Sequence, residues 1–325
     1  MERKIQIGIC GYGNLGKGVA SEIAKNPDMD IAAIFTRREL TDAPPGVPVA
    51  RVGDAAEWKD RIDVMILCGG SKSDLPQQGP AFAKLFNTVD SFDTHARIPG
   101  YFAEVDSAAK AGNNISIISI GWDPGLFSLI RLYAGAVVSE GATYTFWGKG
   151  VSQGHSEAVR GIEGVENAIQ YTIPSDEAME RVRNGENPEL TVREKHAREC
   201  YVVAAPGADT KAIESAIKNM PDYFADYDTT VRFITREEMK KDHARMTHGG
   251  NVIRTGKTGD GNNQVIEFSL KLDSNPEFTS SVLLAYARAA YRLSAKKECG
   301  ARTIFDIPPI LLAESDPEEI ITTLL

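Results

Sequence analysis

A glycine-rich segment near the start of the chain has the spacing of a phosphate-binding turn. Residues 11–16 read Gly-Tyr-Gly-Asn-Leu-Gly, a G-x-G-x-x-G pattern that follows the apolar run Ile5–Cys10 and opens a helix-like stretch. In such a turn Gly11 permits the tight bend, Gly13 lets a pyrophosphate approach the backbone, and Gly16 lets the helix pack on the strand. The N–H groups at the helix start would bind the phosphate. This context predicts a dinucleotide site.

The residues after the second predicted strand indicate which dinucleotide binds. NAD-binding proteins place Asp or Glu about 20 residues beyond the glycine motif, where the carboxylate binds the ribose 2′-hydroxyl. Here the predicted strand 31–35 runs into Thr36, Arg37 and Arg38. Guanidinium groups match the geometry of a phosphate, so the segment favours NADP over NAD. Two alternatives stay open: the arginines could be solvated, and Glu39 could turn toward a 2′-hydroxyl.

Three more segments at predicted strand ends carry small and polar residues. They are Cys68-Gly69-Gly70-Ser71, Asp90-Ser91-Phe92-Asp93-Thr94-His95 and Gly121-Trp122-Asp123-Pro124-Gly125. Ligands of open parallel sheets bind outside the carboxyl ends of the strands. Asp93 and Asp123 would therefore place two carboxylates near a nicotinamide ring, which suits a substrate carbon that bears an amine. Each aspartate alone could equally be a helix N-cap.

The second half of the chain offers polar candidates that are each weak alone. They are Trp147, Ser152-Gln153-Gly154-His155, Arg198 and His248-Gly249-Gly250. The simpler interpretations are a core aromatic for Trp147, a solvated side chain for Arg198 and a structural role for His248. The five histidines and four cysteines show no metal-ligand spacing, and we expect no metal site. No arrangement typical of a covalent nucleophile occurs.

The elements that must position these residues follow from hydrophobic patterning. Short apolar runs alternate with helix-like stretches in the first third, which predicts βαβ units and a parallel sheet. These strands are 5–10, 31–35, 64–68, 88–91 and 115–120, the clearest helices are 15–25 and 101–111, and Pro76 and 44–46 mark loops. Later strands are longer and alternate, which predicts an α+β region with an antiparallel sheet. They are 143–147, 200–204, 231–234 and 264–270, with breaks at 184–188 and 256–263 and a helix from 275 to about 297.

Length and charge exclude several classes of partner. At roughly 150 residues per domain, the 325 residues predict two domains. A net charge of −9 without a basic block argues against nucleic acid and anionic membranes. The four cysteines lie far apart, and the chain lacks a signal-peptide core and a membrane span, so we expect a cytoplasmic protein.

Together these motifs resemble the meso-diaminopimelate dehydrogenase family. The resemblance runs over nearly the whole chain, and the 121–125 and 152–155 blocks are far more specific than the glycine motif. It rests on these segments: 11–16, 36–38, 93–95, 121–125, 146–148, 152–155, 246–250 and 270–276.

The resemblance implies an NADP-dependent oxidoreductase that reversibly deaminates the D-centre of meso-2,6-diaminopimelate. The product, L-2-amino-6-oxopimelate, cyclises to tetrahydrodipicolinate, and the reverse reaction uses ammonia in lysine biosynthesis. It also implies α/β plus α+β architecture in a homodimer. A Rossmann dinucleotide-binding domain would comprise residues 1–120 and 300–325, with an inserted mixed-sheet substrate-binding and dimerisation domain at 121–299.

Roles for single residues follow from the motifs and the resemblance together. Asp93 and Asp123 are the candidate catalytic residues. The predicted substrate-binding residues are Asp93, Asp123, Trp147, Gly154, Thr172, Arg198, His248 and Asn275. The predicted cofactor-binding residues are Gly11, Gly13, Asn14, Leu15, Gly16, Thr36, Arg37, Arg38, Cys68, Gly70, Ser71, Thr94, His95, Gly121, Trp122, Pro124 and Gly125.

Other functions remain as alternatives. A broad-range NADP-dependent D-amino acid dehydrogenase would share the cofactor site, as would a semialdehyde or homoserine dehydrogenase. A semialdehyde enzyme needs a reactive cysteine, for which Cys200 at the start of an apolar run is unsuited. A non-catalytic NADP-binding redox sensor would need neither the paired aspartates nor Trp147.

Overall fold

The apolar runs of the first third form parallel strands in the computed structural model, which describes residues 3–325. The strands of the whole chain are β1 (Ile5–Cys10), β2 (Met29–Thr36), β3 (Val49–Arg51), β4 (Val64–Leu67), β5 (Asn87–Asp90), β6 (Ile115–Ile117), β7 (Glu140–Trp147), β8 (Gly150–Val151), β9 (Val165–Pro174), β10 (His196–Ala204), β11 (Asp228–Phe233), β12 (His248–Thr258), β13 (Asn262–Leu272) and β14 (Gly300–Arg302). Seven of them build one all-parallel sheet in the order β14-β6-β5-β4-β1-β2-β3.

The helices connect and cover these strands. They are α1 (Asn14–Ile23), α2 (Leu75–Ala83), α3 (Ile98–Gly112), α4 (Leu126–Val137), α5 (Gln153–Arg160), α6 (Asp176–Arg183), α7 (Val192–Lys195), α8 (Thr210–Lys218), α9 (Arg236–Asp242), α10 (Asn275–Ala295) and α11 (Pro317–Leu324). Short 3₁₀ helices lie at Val52–Arg61, His95–Arg97, Ile304–Asp306 and Pro309–Leu311. No helix among residues 3–325 has the length and apolar character needed to cross a membrane.

Both faces of the parallel sheet are covered, which explains why its strands read as continuous apolar runs. One face packs on α1 and α10 through these buried side chains: Ile7, Ile9, Val19, Ile66, Leu283 and Tyr286. The opposite face packs on α2 and α3 through another set: Met65, Leu67, Phe82, Phe86 and Val105.

The second part of the chain forms two smaller sheets. The order β11-β10-β9-β8 is mixed, because β10 is parallel to β11 and antiparallel to β9. The order β13-β12-β7 is antiparallel. The mixed sheet buries Val159, Cys200, Val202, Ile213, Ile217 and Phe224. The antiparallel sheet packs on α6 through Tyr144, Phe146, Met179, Val182 and Ile253.

The chain divides into two units. Unit 1 comprises the described residues up to Leu129 together with Pro276–Leu325, and unit 2 comprises Ile130–Asn275. The predicted fold class, a Rossmann domain with an inserted mixed-sheet domain, is confirmed. The division differs from the expected boundaries at 120/121 and 299/300, since α10 supplies much of the buried surface of unit 1.

Several elements differ from the sequence prediction for local reasons. The strand expected at 115–120 ends at Ile117, because Ser119 has a positive φ of 58° and donates its N–H to the Asp90 carboxylate. Pro76 marks the first turn of α2, a position that tolerates proline, where we expected a loop. The break expected at 256–263 is a tight hairpin turn between β12 and β13.

Candidate active site

The glycine turn of unit 1 has the geometry that a pyrophosphate requires. Gly11 has a φ of +97°, and a Cβ on Gly16 would lie 2.0 Å from the carbonyl oxygen of Gly11, so neither position admits a side chain. At Gly13, the N-cap of α1, a Cβ would meet no atom within 4 Å, which leaves the backbone open to a ligand. The first turn of α1, which starts at Asn14 and Leu15, contains no acidic residue that would repel a phosphate. These residues fit a dinucleotide.

The arginines after β2 lie against this turn. Arg38 donates from Nη2 to the carbonyl oxygen of Tyr12 at 3.1 Å, and its N–H donates to Thr36 Oγ1 at 3.1 Å. Arg37 pairs with Asp74 at 2.9 Å. The Asp74 carboxylate also accepts the N–H of Gly70 at 2.9 Å. The two guanidinium groups are thus tied to the segments that follow β1 and β4.

A cavity of about 600 Å³ opens beside the end of β2. Thr36, Arg38 and the exposed Glu39 contribute to its wall, with Arg51 and Trp58 across from the strand end. Glu39 and Arg38 therefore line the same cavity.

A hydroxyl network joins the ends of β4 and β5. Ser71 Oγ accepts the N–H of Asp93 at 2.9 Å and lies 3.1 Å from Thr94 Oγ1. The nearby N-cap positions are Thr94 and Arg97, so Asp93 is not the N-cap of a described helix. Asp93 and His95 are exposed at this edge. The Asp93 carboxylate is thus available to a ligand.

Asp90 holds the loops that carry both candidate aspartates. Its carboxylate is 1% exposed and accepts from Tyr101 Oη at 2.7 Å and from the N–H groups of Phe92 and Ser119 at 2.9 and 3.1 Å. Burial raises the pKa of Asp90, and these hydrogen bonds oppose that rise. Asp90 is therefore a structural group, and sequence reasoning had placed it only among the polar residues of a strand end.

A second tight turn positions Asp123. Gly125 has a φ of +129°, and a Cβ there would lie 2.0 Å from the carbonyl oxygen of Gly121, so the turn requires glycine. Trp122 is buried and packs edge-on against Phe127. Asp123 and Pro124 are half-buried beside them. Cys68, at the end of β4, donates its N–H to the Cys10 carbonyl, next to the glycine turn.

Unit 2 contains a buried arginine without a carboxylate partner. Arg198 is 8% exposed, and its Nη1 donates to Oγ1 of Thr172, its neighbour across the β9–β10 pair. Its Nε has no hydrogen-bond partner among residues 3–325. The guanidinium carbon lies 4.0 Å from the ring centroid of Tyr227. Burial lowers the pKa of Arg198, as expected for a cation that lacks an anionic neighbour.

His248 lies beside the same pair of strands. A Cβ on Gly150 would lie 2.6 Å from the His248 ring, and Gly150 pairs with Thr172. The N–H of Asn275 donates to the Met246 carbonyl at 3.0 Å, which ties the start of α10 to the segment before β12. Gly154 is exposed in the first turn of α5. Thr172, Arg198 and His248 are brought together around Gly150, whereas Gly154 lies on α5.

Trp147 is 38% exposed at the end of β7, so it is not the core aromatic of the simpler interpretation. Its N–H donates to Nε2 of His196 at 2.9 Å, and the two rings stack with centroids 5.3 Å apart. His196 is 3% exposed. Burial, with the nearby charges of Arg198 and Lys195, lowers the pKa of His196 to about 4. A neutral imidazole therefore holds Trp147.

Sequence reasoning missed Asp74, His196 and Tyr227 as contributors to these clusters. Each acts through a partner that is distant in sequence, and none belongs to a motif. The one available signal was the position of His196, two residues before Arg198 on an apolar strand. No group of three His, Cys, Asp or Glu side chains within 3–325 could hold a metal ion.

The parallel sheet, the glycine turn and the arginines beside it define a Rossmann-type nucleotide-binding protein with an additional polar cluster in its second unit. The model of the family described as "Diaminopimelic acid dehydrogenase C-terminal domain" matches residues 121–274. The meso-diaminopimelate D-dehydrogenase of Ureibacillus thermosphaericus is 61% identical over 324 residues, covering 99% of each chain. The chain belongs to the meso-diaminopimelate dehydrogenase family.

Solved structures show the same similarity. The C. glutamicum DAP dehydrogenase in complex with DAP has a TM-score of 0.93 at 45% identity, with 100% of both chains covered. An engineered D-amino acid dehydrogenase bound to NADP+ has a TM-score of 0.88 at 44% identity, with 99% of this chain and 100% of that chain covered.

Proposed function

We propose that this chain is an NADP-dependent meso-diaminopimelate D-dehydrogenase. It reversibly deaminates the D-centre of meso-2,6-diaminopimelate to L-2-amino-6-oxopimelate, which cyclises to tetrahydrodipicolinate, and the reverse direction consumes ammonia in lysine biosynthesis. The observation that carries the substrate class is Arg198, a buried guanidinium without a carboxylate among residues 3–325. Such a cation is costly to bury unless a ligand supplies the negative charge. The distal carboxylate of diaminopimelate is that ligand.

NADP is assigned to unit 1. The backbone of Gly13, Asn14 and Leu15 binds the pyrophosphate, and Arg37 and Arg38 bind the 2′-phosphate. When bound, NADP+ supplies the two-electron acceptor for the oxidation. Of the other predicted cofactor residues, Gly11 and Gly16 belong to the glycine turn and Thr36 ends β2. The rest lie in the turns after β4, β5 and β6, at the carboxyl edge of the sheet.

Two carboxylates are assigned to the reacting amine. Asp93 and Asp123 accept hydrogen bonds from the ammonium group of the D-centre and orient it. During deamination water replaces ammonia, and either carboxylate can accept the proton that the water releases. Thr172, Arg198, His248 and Asn275 bind the distal amino acid end, Trp147 and Gly154 contact the substrate, and each charge-assisted hydrogen bond contributes about 1.5–3 kcal/mol.

Assembly and location are part of the proposal. We propose a homodimer, because α4 presents three apolar side chains that are more than half exposed: Leu132, Tyr133 and Val137. We also assign the protein to the cytoplasm, since its four cysteines are free thiols, as in a reducing compartment. The semialdehyde alternative is not supported, because Cys200 is fully buried and burial raises its pKa to about 12.

The decisive experiment follows NADPH formation by the purified protein. We expect reduction of NADP+ with meso-diaminopimelate, far slower reduction of NAD+, and none with the LL stereoisomer, which has no D-centre. A panel of D-amino acids separates strict from broad specificity. Absence of NADPH with meso-diaminopimelate would disprove the proposed activity, and tight NADP binding without any turnover would favour the redox sensor.

A variant with two arginine substitutions tests which residues bind the 2′-phosphate of NADP+. Arg37→Ala with Arg38→Ala should raise the KM for NADP+ by at least about a hundredfold, since two charge-assisted hydrogen bonds are lost. The KM for NAD+ should change little. Arg51→Ala, in the wall of the same cavity, is the matched control. Equal losses for both cofactors would contradict the 2′-phosphate assignment.

A further inference from the structure

The guanidinium of Arg198 is held by few contacts. One hydrogen bond joins Nη1 to Thr172 Oγ1, and Nε has no partner among the described residues. This hydrogen bond fixes only one corner of the planar group. Bidentate recognition of a carboxylate requires a fixed plane. A second constraint must therefore set the orientation of this side chain.

The ring of Tyr227 supplies that constraint. Its centroid lies 4.0 Å from the guanidinium carbon, a distance at which a cation is attracted to the face of an aromatic ring. Tyr227 is itself fixed, because its N–H donates to the Phe224 carbonyl at 2.9 Å and Phe224 is fully buried. It directly precedes β11, which is parallel to β10 and pairs Thr229 with Arg198. Tyr227 and Arg198 therefore share one face of the mixed sheet.

Burial makes this contact important. Arg198 is 8% exposed, and burial lowers its pKa, so its charge is poorly hydrated. A cation–π contact is stronger for a desolvated cation than for an exposed one. No carboxylate among residues 3–325 competes with Tyr227 for the guanidinium. The buried Nε–H of Arg198 is left without an acceptor among residues 3–325.

We propose that Tyr227 is a positioning residue that fixes the plane of Arg198 for the distal carboxylate of the substrate, and that it contributes to selectivity for substrates with that carboxylate. The inference rests on the proposed function and extends it. Removal of the aromatic ring should weaken binding of diaminopimelate while the chemical step, which takes place at the other end of the molecule, stays intact.

The experiment compares Tyr227→Leu and Tyr227→Phe with meso-diaminopimelate in the full-length protein. We expect Tyr227→Leu to raise the KM about tenfold with kcat within threefold, and Tyr227→Phe, which keeps the ring, to stay within threefold for both. Tyr227→Met is measured in parallel as a second variant without a ring, in case the leucine variant does not fold. Tyr201→Leu, a tyrosine on the opposite face of β10, is the matched control and should leave the KM unchanged.

Two further measurements distinguish positioning from a general structural effect. D-lysine is diaminopimelate without the distal carboxylate, so kcat/KM for D-lysine should be the same in the wild-type protein and Tyr227→Leu. In an Arg198→Met background, Tyr227→Leu should change the KM for meso-diaminopimelate less than twofold, because the cation that it positions is gone.

The outcomes separate the inference from the proposed function. An unchanged KM in the variants without a ring, a phenylalanine variant as impaired as the leucine variant, or a full effect in the Arg198→Met background would overturn the role of Tyr227 while wild-type turnover still supports the proposed function. Absence of wild-type turnover with meso-diaminopimelate would overturn both.

Discussion

At the scale of single residues, the polar cluster of unit 2 depends on one imidazole that must stay neutral. His196 Nε2 accepts the Trp147 N–H, and an accepting nitrogen cannot carry a proton. The cationic side chains of Arg198 and Lys195 add to the cost of charging it. The exposed ring of Trp147 thus depends on a buried residue.

This arrangement predicts a pH-dependent stability. The folded-state pKa of His196 is about 4, against an ordinary value of 6.5. The unfolded chain therefore binds the proton more strongly between these values. The free energy of unfolding should be at its full value above pH 6.5 and fall by up to about 3 kcal/mol as the pH drops toward 4.

Urea unfolding at several pH values measures this effect against a His196→Gln variant. Glutamine has an acceptor oxygen but no proton to gain, so the variant should lose less stability over the same range. Because burial also lowers the pKa of His243, the difference between the two proteins is the informative quantity. Parallel pH profiles would show that His196 does not titrate in this way.

The sequence predicted the local residues of the site better than those that depend on pairing of distant strands. The glycine turn and Thr36-Arg37-Arg38 are contiguous, and their chemistry is readable from spacing. The cross-strand pair of Thr172 with Arg198 depends on the β9–β10 register, which has no local signal. For the same reason the sequence did not indicate Tyr227, because its contact with Arg198 forms only when β11 lies beside β10.

At the scale of elements, α10 organises unit 1. Arg288 on this helix is 4% exposed and makes a bidentate contact with Asp28 at 2.6 and 2.8 Å. Arg288 also donates to the Leu312 carbonyl, and Arg292 donates to the carbonyl groups of Leu311 and Ala313. Two arginines of one helix therefore hold the loop that precedes β2 and the segment that follows β14.

Removal of the Arg288 guanidinium should destabilise unit 1. Arg288→Met leaves the Asp28 carboxylate and the Leu312 carbonyl without their donor, and we expect a loss of about 2–3 kcal/mol in the free energy of unfolding. Burial would raise the pKa of Asp28, but the hydrogen bonds and charge of Arg288, with a backbone hydrogen bond and the charge of Arg292, together lower it. The loss should therefore shrink at low pH as the carboxylate is protonated.

Thermal and urea unfolding provide the measurement, with Lys4→Met as control. Lys4 pairs with Asp30 at 3.1 Å, but both side chains are about half exposed, and exposed pairs contribute little. Equal effects of the two substitutions would argue against a special role for the buried contact.

Most strands and long helices were predictable because the spacing of apolar residues indicates which side chains are buried. β3 and α2 were not. β3 has three residues, two of them exposed, and shows no apolar run. Pro76 indicated a loop, yet it lies in the first turn of α2, where no hydrogen-bonded N–H is needed.

At the scale of the whole molecule, the net charge of −9 argues against polyanionic partners but does not indicate self-association. The three exposed apolar side chains of α4 provide that indication: Leu132, Tyr133 and Val137 are 55%, 64% and 54% exposed. A cluster of this kind on one helix is typical of a protein interface.

We expect the wild-type protein to have twice the chain mass of 35.3 kDa in light scattering after gel filtration. Leu132→Asp with Val137→Asp should shift it to the monomer, because burial of carboxylates in an apolar interface is unfavourable. Ile321→Asp, at a side chain 53% exposed on α11, should leave the mass unchanged. A monomeric wild type, or a variant that stays dimeric, would contradict this surface as the interface.

The division of the chain also has a consequence for its synthesis. Unit 2 is one continuous stretch, Ile130–Asn275, whereas unit 1 needs α10 and β14, which follow it. A nascent chain emerges from its N-terminal end, and units fold as their sequence becomes complete. Strands β1 to β6 must wait for Leu283 and Tyr286 to cover one face of their sheet. The inserted unit can therefore fold first on the ribosome, while the nucleotide-binding unit that began earlier is finished last.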